Sequence, residues 1–247
     1  MLQVAFTVDV EQDVPPFLQT WQGVEKGLPT MLELLARYNV PATFFVTGLA
    51  AEKFPGIVAE ISQKHEVACH GHEHERFDIL AVEEQRKRIE KATDILQRLT
   101  GEKPLGFRAP YFKATPQTLA ILKQIGYMYD ASKASYKRSP GLSYPGLVEI
   151  PNTLPSSFLR LPTWLSFRVL SFCLRFLPLV VLDYHPWELV KISSVRLDLR
   201  FATGDKALSR LDKVIGYLTT HGAEFVTMGK VASKFQRREA SFSHLLT

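Results

Sequence analysis

Cysteine is scarce in this chain, with two thiols, Cys69 and Cys173, in 247 residues. Each sits in an apolar run, so a disulfide framework is excluded and buried thiols in a reducing compartment are expected. Internal repeats, low-complexity tracts and a recognisable linker are also missing. A single domain over residues 1–247 is therefore expected, a length that α/β barrels often reach as one unit. The first ten residues lack a basic leader and a small-residue cleavage motif, which argues against a secretory signal. They read as a first strand, and a cytoplasmic location is the expectation. No helix-turn-helix, zinc-finger or aromatic RNA-binding signature accompanies the net charge of +5. Nucleic acid is thus not an expected partner, and anionic headgroups or phosphorylated substrates fit better.

What is present alternates. Leu2–Val8 is apolar and β-rich and ends at Asp9; helical spacing over Val24–Tyr38 (Leu28, Met31, Leu34, Leu35) stops at Asn39 and Pro41. Further strands are expected over Ala42–Thr47, over Glu66–Cys69, at Phe107, and over Tyr127–Tyr129, Val180–Tyr184 and Glu224–Met228. Helices are expected over Ala50–Gln63 (broken or capped near Pro55), Leu80–Leu99, Thr115–Ile125 and Lys206–Thr220. This order implies an α/β fold with a parallel sheet and right-handed crossovers. Asp9, His70, Arg108, Asp130 and His185 each follow a strand-like run, and parallel barrels gather catalytic groups at the C-terminal ends of strands.

Two clusters carry chemistry. Asp9 and Glu11 are two apart on an extended chain and so face the same side, where one carboxylate can bind a metal and the other move protons. Asp13 follows in the same acidic stretch. His70 and His74 are four apart and converge on one cation if the segment turns helically, with His72 between them projecting elsewhere, to the surface or behind the ligands. Two imidazoles with a hard oxygen suit Zn²⁺, with Co²⁺, Ni²⁺ and Fe²⁺ compatible with the same ligands.

The stretch 40–48 (VPATFFVTG), the H-x-x-x-H of His70 and His74, and the R-A-P-Y of Arg108–Tyr111 together resemble the polysaccharide deacetylase family, also called the NodB-homology or carbohydrate esterase 4 fold. The similarity runs from about Val4 to about Met228 and implies a distorted (β/α) barrel with fewer than eight full units. Asp9 then resembles the catalytic base, and His70 and His74 the metal-binding histidines. Arg108 resembles the arginine that positions the base, and the Tyr111 N–H an oxyanion-hole donor. His185 resembles the general acid, and Asp130 the acid that orients it. Two departures stand out. Many members carry adjacent aspartates in the first motif, the second a metal ligand, where this chain has Val10. In the D-V-D/E branch the residue two after the base takes that place, which implies Glu11, with Asp13 as the alternative. The usual Ser or Thr after the first histidine is Gly71, so a loop-fixing hydroxyl is absent.

The stretch from Pro151 to Leu182 contains no acid, while Arg160, Arg168 and Arg175 punctuate an apolar run. In helical projection the three arginines fall within about 80° of one another. Pro162 and Pro178 bracket a helix of about 15 residues, roughly 22 Å long, too short to span a bilayer. Two readings stand for this insert at about 153–180: a buried helix with one solvated edge, or an interfacial helix with its arginines at headgroups. Aminoarabinose deformylase-type relatives that act on lipid-linked sugars share the first-motif style. The resemblance therefore implies metal-dependent hydrolysis of an N-acetyl or N-formyl amide on an amino sugar, with a lipid-linked glycan at the inner face of a membrane as the sharper expectation. Hydrolysis of a small non-sugar amide, as in allantoinase-like relatives, and a catalytically silent carbohydrate- or membrane-binding relative are the alternatives.

Overall fold

The computed structural model describes residues 2–136 and 143–243. Its strands are β1 (Gln3–Val10), β2 (Ala42–Val46), β3 (Glu66–Cys69), β4 (Gly106–Phe107), β5 (Tyr129–Asp130), β6 (Val148–Glu149), β7 (Leu179–Tyr184) and β8 (Glu224–Phe225). The α-helices are α1 (Leu28–Arg37), α2 (Gly48–Lys53), α3 (Pro55–Ser62), α4 (Val82–Thr100), α5 (Pro116–Ile125), α6 (Thr163–Phe176), α7 (Leu197–Arg200), α8 (Asp205–Thr220) and α9 (Met228–Ser243). The class is α/β, with an incomplete parallel sheet of the distorted-barrel kind. Backbone contacts divide the chain into two compact units, Met1–Phe44 with Thr153–Val226, and Phe45–Asn152 with Thr227–Thr247.

In the first unit β1 runs parallel to β7 and to β8, with Val8 opposite Tyr184. Val4–Val10 are all buried, which is why β1 reads as a continuous apolar run rather than an alternating one. Helix α1 buries Leu28, Met31, Leu34 and Leu35, each contributing about 2 kcal/mol of apolar burial. The helix expected from Val24 starts later, because Gly23–Gly27 forms a π-helical turn. The cause is a close backbone approach. A Cβ on Gly27 would lie 2.1 Å from the Pro186 carbonyl oxygen, and one on Gly23 2.5 Å from the Trp187 nitrogen.

The insert folds as a 3₁₀ turn, Ser156–Arg160, followed by α6. Ser166, Leu170 and Cys173 point inward, while Trp164, Phe172 and Phe176 are each more than 60% exposed. Arg168 and Arg175 share that exposed surface. Arg160 does not. Proline at 162 interrupts the helical projection, and Arg160 instead pairs with Glu188 (Nη2 to Oε1, 3.3 Å). No helix among the described residues is long and apolar enough to cross a membrane.

In the second unit β3, β4, β5 and β6 pair in parallel in that order. Strand β6 is only two residues long, too short to leave a periodic signal. The helix expected over Ala50–Gln63 is two helices separated at Phe54, before Pro55. Thr115 caps α5 through its side chain, as the Thr-Pro pair suggests. The strand expected through Met228 stops at Phe225, and Met228 opens α9 instead, with Met228, Val231 and Ala232 buried at helical spacing.

Candidate active site

The first unit supplies a nest of acids around one histidine. Asp9 is the last but one residue of β1, and His185 follows β7 directly, so the β1–β7 register sets them side by side. His185 Nε2 lies 4.0 Å from Asp9 Oδ2 and 3.6 Å from Glu11 Oε1, and Nδ1 lies 3.8 Å from Glu188 Oε2. Asp9 and Glu11 thus share a side, as their spacing predicts. Burial pushes the His185 pKa down, but the carboxylates of Glu188, Asp183 and Glu11 outweigh it and leave the ring at about 10. His185 is therefore an imidazolium at neutral pH, the form a general acid needs. Trp187 is core, packed with Val14 and Val190.

Asp13 is occupied elsewhere. Its Oδ2 accepts from Thr20 Oγ1 (2.7 Å) and the Gln22 N–H (2.8 Å), and its Oδ1 accepts from the Gly23 N–H (2.8 Å). These bonds tie down the loop before α1, while Glu11 faces His185.

The second unit supplies the histidine pair and its supports. His70 follows β3, and its Nδ1 is 2.8 Å from the Arg108 carbonyl oxygen. That bond makes Nδ1 the donor and presents the Nε2 lone pair outward, the tautomer a metal ligand requires. His74 sits with its ring centroid 5.3 Å from that of His70 and 4.5 Å from the Tyr111 ring. His74 (φ 63°), Tyr111 (φ 58°) and Phe112 (φ 60°) all adopt the left-handed region. Such conformations cost about 1–3 kcal/mol each and concentrate at functional sites.

His72 is buried rather than on the surface, and its Nδ1 would stand 2.4 Å from a Cβ on Gly48. It fills the space at the start of α2. Gly71 (φ 74°) takes a conformation that suits glycine, and the next backbone N–H, of His72, donates to Glu75 Oε2 at 3.0 Å. Arg108 is fully buried, its guanidinium carbon 4.1 Å from the Phe45 ring centroid.

Asp130 is engaged by Ser132, whose Oγ donates to Oδ1 (2.6 Å) and whose N–H donates to Oδ2 (3.1 Å). On the neighbouring strand, opposite in register, lies Glu149, which pairs with Lys133 at 3.6 Å. Burial, then the Asp130 charge, pushes the Glu149 pKa up to about 9. The folded state therefore holds a proton that the unfolded chain gives up near 4.5, and stability falls as pH rises from about 4.5 to about 9. Glu149→Gln is expected to remove that slope and to stabilise the protein at pH 8 by on the order of 2 kcal/mol. Urea unfolding at pH 5 and pH 8 measures it; an unchanged difference between the two would contradict the shared buried proton.

Among the described residues of the first unit, Asp9, Asp183 and His185 offer ligand atoms that lie within 4.8 Å of one another. This group suits proton transfer, since it joins two carboxylates to an imidazole whose pKa its acidic neighbours raise. In the second unit His70 and His74 bring two imidazoles together, their ring centroids 5.3 Å apart, the nitrogen part of a divalent-metal donor set. The polysaccharide deacetylase family profile matches residues 4–129, just over half of the chain. The chain belongs to the polysaccharide deacetylase family. This family member is 32% identical over 109 residues to a peptidoglycan deacetylase of Helicobacter pylori, covering 44% of this chain and 37% of that protein. It is 31% identical over 145 residues to a peptidoglycan-N-acetylglucosamine deacetylase of Bacillus cereus, covering 53% of each. The matches thus span about a third to a half of these relatives. A structure of a probable polysaccharide deacetylase from Pseudomonas aeruginosa PAO1 superposes with a TM-score of 0.74 at 19% identity, covering 96% of this chain and 91% of that one, and shows the shared fold.

Proposed function

We propose that this chain hydrolyses the N-acyl amide of an amino sugar with a divalent metal, Zn²⁺ by ligand chemistry, held by Glu11, His70 and His74. The observation that carries the reading is the pairing of His70 with His74, ring centroids 5.3 Å apart, together with Asp9, Asp183 and His185, a group within 4.8 Å that is equipped to move protons. A bound divalent cation supplies a Lewis acid for the water and for the amide carbonyl. Asp9 accepts the proton of the water that adds to the carbonyl carbon, and Arg108 positions Asp9. The Tyr111 N–H donates to the oxygen that gains charge, a contribution of a few kcal/mol in comparable sites. His185 gives its proton to the nitrogen as the C–N bond breaks, so a carboxylic acid and a free amine leave. The curated relatives' names, peptidoglycan deacetylases, support an N-acetylated amino sugar.

The finer reading is a lipid-linked amino sugar at the cytoplasmic face of a membrane. The exposed Trp164, Phe172 and Phe176, set among Arg168 and Arg175 with no acid from Pro151 to Leu182, support it. Acetate release by zinc-loaded protein tests both parts. The assay compares soluble N-acetylglucosamine oligomers with an N-acetylated amino sugar on a lipid carrier in anionic vesicles. Faster release from vesicles is expected, lost in Trp164→Glu/Phe172→Glu. Equal rates would sink the membrane reading, and no acetate from either substrate would sink the hydrolase reading.

A further inference from the structure

His185 lies beside a carboxylate that the family resemblance does not assign. Asp130, the residue expected to orient it, has both oxygens engaged by Ser132. Glu188 is buried, one turn along from His185, and its Oε2 stands 3.8 Å from His185 Nδ1 while accepting the His185 backbone N–H at 3.3 Å. Its other oxygen is held by Arg160 Nη2 at 3.3 Å, and Arg160 is itself fixed, donating to the Asp198 carbonyl and lying 5.9 Å from the Trp187 ring centroid. The Gly204 N–H donates to the Glu188 carbonyl at 2.8 Å, which locks the backbone as well. A carboxylate is costly to bury unless its oxygens are satisfied. Here one oxygen faces a guanidinium and the other faces the imidazole edge opposite the reacting Nε2.

We propose that Glu188, held by Arg160, is the positioning residue that orients His185 and directs its Nε2–H toward the leaving nitrogen. The proposal rests on the functional reading above. It also accounts for Arg160 leaving the arginine stripe of the insert, since that side chain serves the catalytic histidine rather than a surface.

The bland alternative is that Glu188 merely caps the short 3₁₀ turn Pro186–Leu189. Glu188→Gln separates the two, because the amide oxygen of glutamine still accepts the His185 N–H while the charge beside Nδ1 is gone. In the zinc-loaded full chain, Glu188→Gln is expected to lower kcat roughly 100-fold with KM within about threefold, and metal content unchanged. Arg160→Met is expected to lower kcat about tenfold and Arg160→Lys to restore most of it, while Asp130→Asn has the smaller effect. Should Glu188→Gln fold poorly, Glu188→Asp keeps the charge and is expected to retain at least about a tenth of kcat. Wild-type kcat in Glu188→Gln, or Asp130→Asn more damaging than Glu188→Gln, would overturn the assignment. The ¹⁵N resonance of His185 Nδ1 gives a readout independent of turnover. It is expected to move in Glu188→Gln and not in Asp130→Asn, and an unmoved resonance overturns the proposal whether or not the wild type is active. An inactive wild type sinks the functional reading, whereas an active wild type with an indifferent Glu188→Gln sinks only this one.

Discussion

Asp9→Asn is expected to reduce kcat by about 10³-fold, some 4 kcal/mol of transition-state stabilisation. Asparagine has the same shape, so the buried end of β1 stays packed and the folded state is kept. What is lost is the acceptor for the water's proton. KM changes little, since Asp9 acts on a proton that moves only in the reaction. Metal content stays at wild-type level, because Glu11 rather than Asp9 is the carboxylate proposed to hold the ion. Glu11→Gln is expected to behave in the opposite way, losing metal first and activity as a consequence. Initial rates together with metal analysis of the purified variants decide the case. Near-normal turnover in Asp9→Asn with metal bound would mean that another group takes the proton.

The residues of the proposed site were legible because each is announced by a local rule. Asp9, His70, Arg108, Asp130 and His185 all lie at or directly after the C-terminal ends of strands, where a parallel α/β fold exposes side chains. Glu11 was legible only as half of a choice, since strand alternation puts it on the side of Asp9 but does not dispose of Asp13. Three hydrogen bonds to Thr20, Gln22 and Gly23 engage Asp13 and support the proposed choice of Glu11, and they depend on a loop path the local sequence does not encode. Glu75 bonded to the His72 N–H, and Glu188 beside the histidine, were hidden for the same reason. Each acts through a turn whose geometry is set by its neighbours, at Gly71 and at the Pro186–Leu189 turn. Helix α9 had left a signal, the spacing of Met228, Val231, Ala232 and Phe235, but extending the preceding strand to Met228 absorbed its start. Arg160 was misplaced because a helical projection was carried through a proline that ends it.

Removing either metal-binding histidine is expected to abolish zinc binding and turnover together, provided the replacement leaves the fold alone. At position 70 asparagine is the informative choice. Its side-chain amide can still donate to the Arg108 carbonyl, as His70 Nδ1 does at 2.8 Å, while nothing remains at the Nε2 position. Alanine would leave that carbonyl without its donor and add about 1–3 kcal/mol of instability unrelated to metal. At position 74 asparagine is again preferable, because the backbone there is left-handed (φ 63°) and asparagine tolerates that region better than alanine. Three protein ligands are the usual complement of a hydrolytic zinc site, so losing one lowers affinity by orders of magnitude. Saturating zinc at about 100 times its dissociation constant stabilises a binding-competent protein by about 2.7 kcal/mol. Thermal melts with and without zinc should show that increment for the wild type and for Asp13→Asn, and none for His70→Asn or His74→Asn. Metal content after dialysis follows the same division. If His70→Asn and His74→Asn both kept the wild-type zinc increment and stoichiometry, the ion would have to be bound elsewhere, and the assignment of Glu11, His70 and His74 as its ligands would be lost with them.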